Sequence, residues 1–297
     1  MTSTPSQKTS ILLMLGSVVL FAINVLLIRG LSLYFPAADG WVASLFRGIV
    51  GLIIVGALFH GRGLQFTHLF TKPLLIIRGL MGGFGILSFY ITVVHLGAGR
   101  SVIINLSYPM FGSLFAAIWL KEFLPIRSWL WMFAGFTGLV IFLEIDLHAG
   151  VNLYDLLGLA GAIAAGIVVV LIRQLRHSEH TATIYASQCF ASAMFAAWPA
   201  LGPTLSLPGN AVLLMIVGAA IVAIAQLAMT HAYRTLSVAR GSSIQMILPI
   251  ITALGGFIYF DEHFTSIEIL GAALTLLATW QVIRTPAPTI EPAPSCS

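Results

Sequence analysis

Charge is what this sequence lacks. Of its 297 residues only 8% are Asp, Glu, Lys or Arg, while 59% are hydrophobic. An ordinary soluble domain carries about 25% charged residues. A water-soluble chain of this length cannot hide so much apolar surface, so its solvent is lipid. Acidic residues number ten, and all fall in predicted loops, at span ends or in the tail: Asp39, Glu122, Glu144, Asp146, Asp155, Glu179, Asp261, Glu262, Glu268 and Glu291. With no carboxylate in mid-membrane, the commonest proton relay is excluded, and so are the paired aspartates of an intramembrane enzyme.

Other absences narrow the function. There are two cysteines, Cys189 in a predicted span and Cys296 in the tail, with no metal or disulfide pattern. No G-x-x-x-x-G-K-[ST] sequence occurs, which excludes ATP drive within the chain, and no H-E-x-x-H occurs. The serines of "ARGSSIQ" make no nucleophile site. The chain is therefore expected not to be an enzyme and to need no cofactor or metal. Its net charge of +4 comes without a basic cluster longer than two or three residues, so loop charge and not nucleic-acid binding accounts for it.

What is present is a series of apolar runs bounded by charge, Pro and Gly. They predict ten spans near 11–30, 40–59, 73–95, 100–120, 127–145, 153–173, 181–200, 211–233, 238–260 and 266–284. The first run lacks a cleavage site and reads as a retained span, not a signal peptide. A cytoplasmic N-terminus puts Lys8, Arg62, Lys72, Lys121, Arg127, Arg173, Arg176, Arg234, Arg240 and Arg284 inside, and only Arg29 and Arg100 outside. Ten against two satisfies the positive-inside rule and leaves both termini cytoplasmic.

A shift of 140 residues superimposes the chain on itself without gaps: Leu96 on Leu236, Arg100 on Arg240, Ile104 on Ile244, Pro109 on Pro249, Leu114 on Leu254, Ile118 on Ile258, Glu122 on Glu262 and Leu130 on Leu270. Each copy would hold five spans. Five is odd, so the second copy enters from the opposite side. The fold class expected is all-α integral membrane: ten transmembrane helices as two inverted five-helix repeats. In transporters such symmetry serves alternating access.

Two segments carry a family resemblance: "HLGAGRSVIINLSYPMFGSLFAAIWLKE" and "TLSVARGSSIQMILPIITALGGFIYFDE". With "RGLMGGFGILSFYITVVHL" as a third span, they resemble the drug/metabolite transporter superfamily in its EamA-type branch. The resemblance runs from about Thr9 to Arg284. It implies a first five-helix repeat over 9–148 and a second over 151–284, followed by a disordered Pro-rich tail, 285–297. It also implies a multi-pass carrier of the bacterial inner membrane, often an exporter, for amino acids or other small organic metabolites. The partners expected are that small solute and membrane lipid, with the chain a monomer or homodimer. The runner-up readings are an intramembrane enzyme and a non-transporting scaffold.

Asn105 and Gln245 lead the candidate site residues. Each stands four residues before a helix-kinking proline, Pro109 or Pro249, which has no N–H for the amide residue's carbonyl. Such groups in lipid need partners; they line a substrate path, or they bond neighbouring helices. The stripe through Asn105 continues with Tyr108 and Trp119, which either wall a cavity or pack. Arg47, deep in "WVASLFRGIV", either attracts an anion or substrate carboxylate or bonds backbone carbonyls. Asn24, Tyr90, Gln188 and Gln226 are further polar groups in apolar runs, as ligands or as links between helices. Arg78 is expected to snorkel to the cytoplasm and, with the helix-ending Glu122 and Glu262, to serve structure or a gate. Lys121, or an N–H at the start of the next helix, is the expected partner of Glu122.

Overall fold

In the computed structural model, residues 7–96, 104–142, 152–260, 265–285 and 289–290 are described. Glu262 and nearly all of the Pro-rich tail lie outside them, and so does the side chain of Tyr90. Twelve helical segments are named among the described residues: α1 Gln7–Tyr34, α2 Gly40–Phe59, the single turn α3 His68–Thr71, α4 Pro73–Leu96, α5 Tyr108–Trp119, α6 Ile126–Phe142, α7 Leu153–Leu175, α8 Thr181–Leu205, α9 Gly209–Ala232, α10 Val238–Gln245, α11 Leu248–Phe260 and α12 Ser266–Arg284. The only extended pairing among them joins β1 Glu122–Phe123 to β2 Thr289–Ile290. Helices α1, α2, α7, α9 and α12 are long and apolar enough to cross a membrane.

Side chains at the helix starts explain several boundaries. Asp39 Oδ1 accepts from the N–H groups of Trp41 and Val42, both at 2.9 Å, and starts α2. Asn152 with Asp155 and Thr265 with Glu268 form capping boxes that start α7 and α12. Each satisfies amide donors that the first turn leaves open.

Proline sets a different kind of boundary. The ninth predicted span, 238–260, is two helices rather than one. Pro249 cannot donate to the carbonyl of Gln245, and its ring would clash with that carbonyl in a continuous helix. Met246 and Ile247 instead close short turns, donating to Ser243 and Ile244 at 3.1 Å each, and the helix restarts with Pro249 in its first turn. Pro109 occupies the same place in α5, after a turn in which Ser107 N–H donates to Ile104 at 3.2 Å. Both prolines open a helix and do not bend one from within.

The helices pack in reciprocal pairs. α1 lies on α9 as α4 lies on α7; α4 lies on α8 as α2 lies on α9; α5 lies on α7 as α1 lies on α10 and α11. Three further pairings bring α2 onto α8, α5 onto α10 and α6 onto α12. The closest is α6 with α12. A Cβ at Gly138 would stand 2.8 Å from the Gly271 carbonyl oxygen, and one at Gly271 would stand 2.5 Å from the Phe142 nitrogen. Only glycine lets two backbones approach this far.

Large apolar side chains such as Ile53, Leu130, Trp198, Leu213 and Leu270 stand exposed around the bundle, where lipid tails would meet them. Polar contacts gather at one end. There Gln65 N–H donates to Thr183 Oγ1 at 3.1 Å, His68 Nδ1 meets Glu179 at 3.0 Å, Thr235 donates to Ser10 at 2.6 Å, and Arg240 donates to the Thr285 carbonyl.

Candidate functional site: a buried two-arginine cluster

Helix α8 begins "TATIYASQC", and every residue from Thr181 to Cys189 is buried. Its side chains are mostly small, so neighbours can close on all sides. α2 and α4 do so through glycine: a Cβ at Gly48 would stand 2.7 Å from the Cys189 carbonyl oxygen, and one at Gly79 would stand 2.6 Å from that of Ser187. Each of these glycines follows an arginine directly. The close approach that seats Gly48 and Gly79 therefore carries Arg78 into the interior and Arg47 to a half-buried place beside it.

Arg78 is 0% exposed. Snorkelling is thus overturned: the side chain runs inward, where Nη2 donates to Gln188 Oε1 at 2.7 Å. Gly82, one turn on, makes room for it, since a Cβ there would collide with Arg78 Nη1. Arg47 reaches from α2 to α9, where its Nη2 donates to Gln226 Oε1 at 3.1 Å. Tyr185 and Cys189 lie within electrostatic reach of both guanidinium groups. Among the described residues, the charged and titratable neighbours of Arg78 are Arg47, Tyr185 and Cys189, and none is a carboxylate.

Both arginines keep unused donors. Arg47 Nε, Arg78 Nε and Arg78 Nη1 are buried without a hydrogen-bond partner among the described residues, as is Thr230 Oγ1, one turn from Gln226. An arginine at the centre of a membrane helix costs about 2.5–3.5 kcal/mol on insertion scales, and such residues mark function by default. Two of them with no acid between them make a strongly donor-rich, cationic site. It can bind an acceptor-rich anion.

The other candidates are dispersed. Asn24 Nδ2 donates to the Gly218 carbonyl at 3.0 Å and ties α1 to α9. Gln245 is buried and its Nε2 meets the thioether of Met14 at 3.5 Å, whereas Asn105 is partly exposed. Tyr108 is buried within the main hydrophobic core. Trp119 is 52% exposed at the end of α5 and stacks on Phe115. Of the sequence candidates, the structure brings together Arg47 with Gln226 and Arg78 with Gln188.

Glu122 sits in a second polar centre, at the end where polar contacts gather. Its partner is not Lys121. Arg173 Nε donates to Glu122 Oε1 at 3.1 Å, and Val238 N–H donates to Oε2 at 3.3 Å. Arg173 Nη1 also donates to the carbonyls of Tyr233 and Arg234, at 3.0 and 2.7 Å. One carboxylate and one guanidinium thus tie β1, α7, the end of α9 and the start of α10 together. The offset of 51 residues between Glu122 and Arg173 carries no local sequence signal. For Gln188 a signal exists: an amide in the run of small residues that makes α8 burial-competent on every face.

Among the described residues no group of His, Cys, Asp and Glu is disposed to hold a metal ion. Long apolar helices around a buried cationic cluster define a multi-pass membrane protein with an intramembrane polar site. The chain belongs to the EamA-like transporter family, which it matches over residues 8–143 and again over 152–284. It is similar to the pseudopaline exporter CntI of Pseudomonas aeruginosa strains UCBPP-PA14 and PAO1, 24% identical in each case over 281 residues, 94% of this chain and 97% of the relative. A solved crystal structure, described simply as that of a protein, shares the fold with a TM-score of 0.75 at 17% identity, covering 93% of this chain and 96% of its own. The chain is therefore a membrane transporter by family.

Proposed function

We propose that this protein is a secondary transporter that exports small organic metabolites of amino-acid size across a bacterial inner membrane by alternating access. Ten spans form two inverted five-helix halves, over 9–148 and 151–284, and the end where Glu122 meets Arg173 faces the cytoplasm. The observation that carries the reading is the reciprocal packing: exchanging the halves maps α1 on α9 onto α7 on α4, and α2 on α9 onto α8 on α4. A two-fold relation of this kind lets one half rock against the other about a site between them. Arg47 with Gln226 and Arg78 with Gln188 bridge the halves there, and the two pre-proline amides, Asn105 and Gln245, are assigned to the path towards them. Export is supported by the two exporter relatives. The carrier works as a monomer or homodimer in lipid, without a cofactor.

The test is flux. Proteoliposomes holding the full chain are loaded with labelled amino acids, organic acids and amines, and efflux is followed for wild type, Asn105→Ala and Gln245→Ala. Solute-selective efflux by wild type, reduced in the variants, is expected. Unchanged flux in both variants removes the amide pair from the path, and no flux of any solute favours a non-transporting scaffold.

A further inference from the structure

Resting on the transporter reading above, the structure assigns a charge class to the substrate: we infer that the Arg47–Arg78 cluster binds the carboxylates of a small, net-negative organic acid. The argument is one of unbalanced donors. Arg78 is wholly buried, yet two of its three guanidinium nitrogens make no bond to any described protein group, and Arg47 Nε makes none either. Buried donors in native proteins are nearly always paired, so three orphans within one cluster call for an acceptor. The amides do not supply it. Each spends its oxygen on an arginine, leaving its NH2 as a further donor. Every charge the cluster offers is positive, its hydroxyls at Tyr185 and Thr230 being neutral, and guanidinium groups pair with carboxylates in the strongest geometry available to a side chain.

The same composition speaks against a balanced zwitterion or a cation. An ammonium group would need a carboxylate to balance it beside two guanidinium groups, and among the described residues the charged and titratable neighbours of Arg78 include no acid. Position agrees. Arg78 lies in the second turn of α4 and Gln188 at the start of the third turn of α8, while Gln226 lies in the second turn from the end of α9. All three are nearer the end held by Glu122 and Arg173. An acid entering from that side would meet the cluster first, and opening of that end would expose it.

The test uses purified full-length protein in detergent, with thermal unfolding as the readout. Probes are succinate, its diamide succinamide, L-leucine, putrescine, inorganic phosphate and chloride, all at matched ionic strength. Succinate is expected to raise the midpoint by about 2–4 °C, with no rise from succinamide, leucine, putrescine or chloride. The shift is lost in Arg47→Gln and Arg78→Gln, while Arg78→Lys, which keeps the charge but not the fork, retains part of it. Without ligand, the two glutamine variants unfold at or above the wild-type temperature, because an unmatched buried cation has been removed; a merely structural arginine would give the opposite. A succinate shift no larger than that of chloride or phosphate overturns the organic-acid assignment, and so does a shift that survives in both glutamine variants. The two readings fail separately: solute flux without preference for acids removes the anion site and leaves the transporter, whereas succinate binding without flux of any solute leaves the site and removes the transporter.

Discussion

Arg173 stands 3.1 Å from Glu122 and also donates to the carbonyls of Tyr233 and Arg234. A single guanidinium therefore holds both a carboxylate beyond α5 and the last turn of α9. The side chains keep only 15% and 6% of their surface exposed, so solvent does little to screen the pair.

Glu122→Gln is expected to loosen this end first. Breaking a buried pair from one side costs about 3–5 kcal/mol because the other charge is left behind. Amide hydrogen exchange over residues 233–240 should speed up at least tenfold, with that of α6 and α12 unchanged. Uniform exchange across the chain would show that Glu122 acts on global stability and not on this end.

Gly82 gives a second test, aimed at the position of Arg78. Its missing Cβ leaves the space that Arg78 Nη1 occupies. Gly82→Ala should displace the guanidinium from Gln188 and lower efflux of the transported solute at least tenfold, while the folded protein persists by thermal unfolding. Wild-type efflux in this variant would show that the 2.7 Å Arg78–Gln188 bond is dispensable.

Glycines can also be compared by what surrounds them. Gly138→Ala places a methyl group 2.6 Å from Thr275 Oγ1 and 2.8 Å from the Gly271 carbonyl oxygen, and overpacking of this kind costs about 1–3 kcal/mol. Gly16 has nothing within 4 Å, so Gly16→Ala should be neutral or gain up to about 1 kcal/mol from helix propensity. Unfolding midpoints of the two variants check the contrast, which fails if both move in the same direction.

A fourth prediction concerns pH. His180 caps α8 by accepting the Ala182 N–H on Nδ1 at 3.2 Å, which only the neutral ring can do. Burial first, then nearby Arg176, holds its pKa below the usual imidazole value. His177 is lowered likewise, by burial and then Arg173, Arg176 and Arg234, partly offset by Glu122. In the folded state both rings therefore bind fewer protons than in the unfolded chain. Their stabilisation is complete above the unfolded value, about 6.5, and is lost as pH falls below it towards the folded values. The unfolding midpoint should drop between about pH 7 and about pH 5, and His180→Asn, a cap that does not titrate, should flatten the drop. An unchanged slope in the variant that also carries His177→Gln would refute this origin.

Much of the helix layout was legible because the length of an apolar run is local. The run from Gly40 to Phe59 is a helix with the bounds that its apolar pattern predicts. Arg78 was not legible. Five residues from a span end, the sequence favours snorkelling over inward pairing, and the fact that overturns it, an amide 110 residues away on α8, is tertiary. The partner of Glu122 was hidden for the same reason. The break between α10 and α11 was half visible: Pro249 signals a lost hydrogen bond, but whether the helix bends or restarts depends on the turn that Met246 and Ile247 close.

That break has a kinetic consequence. Pro249 has no N–H, so swinging α11 against α10 ruptures no bond from that nitrogen, and the main-chain turn of Ser243 to Ile247 can stay closed during the swing. A helix continuous through this point would have to give up at least one backbone bond to hinge, at a cost that lipid raises. The joint has already given up that bond in its ground state, so any hinging here would start without that cost.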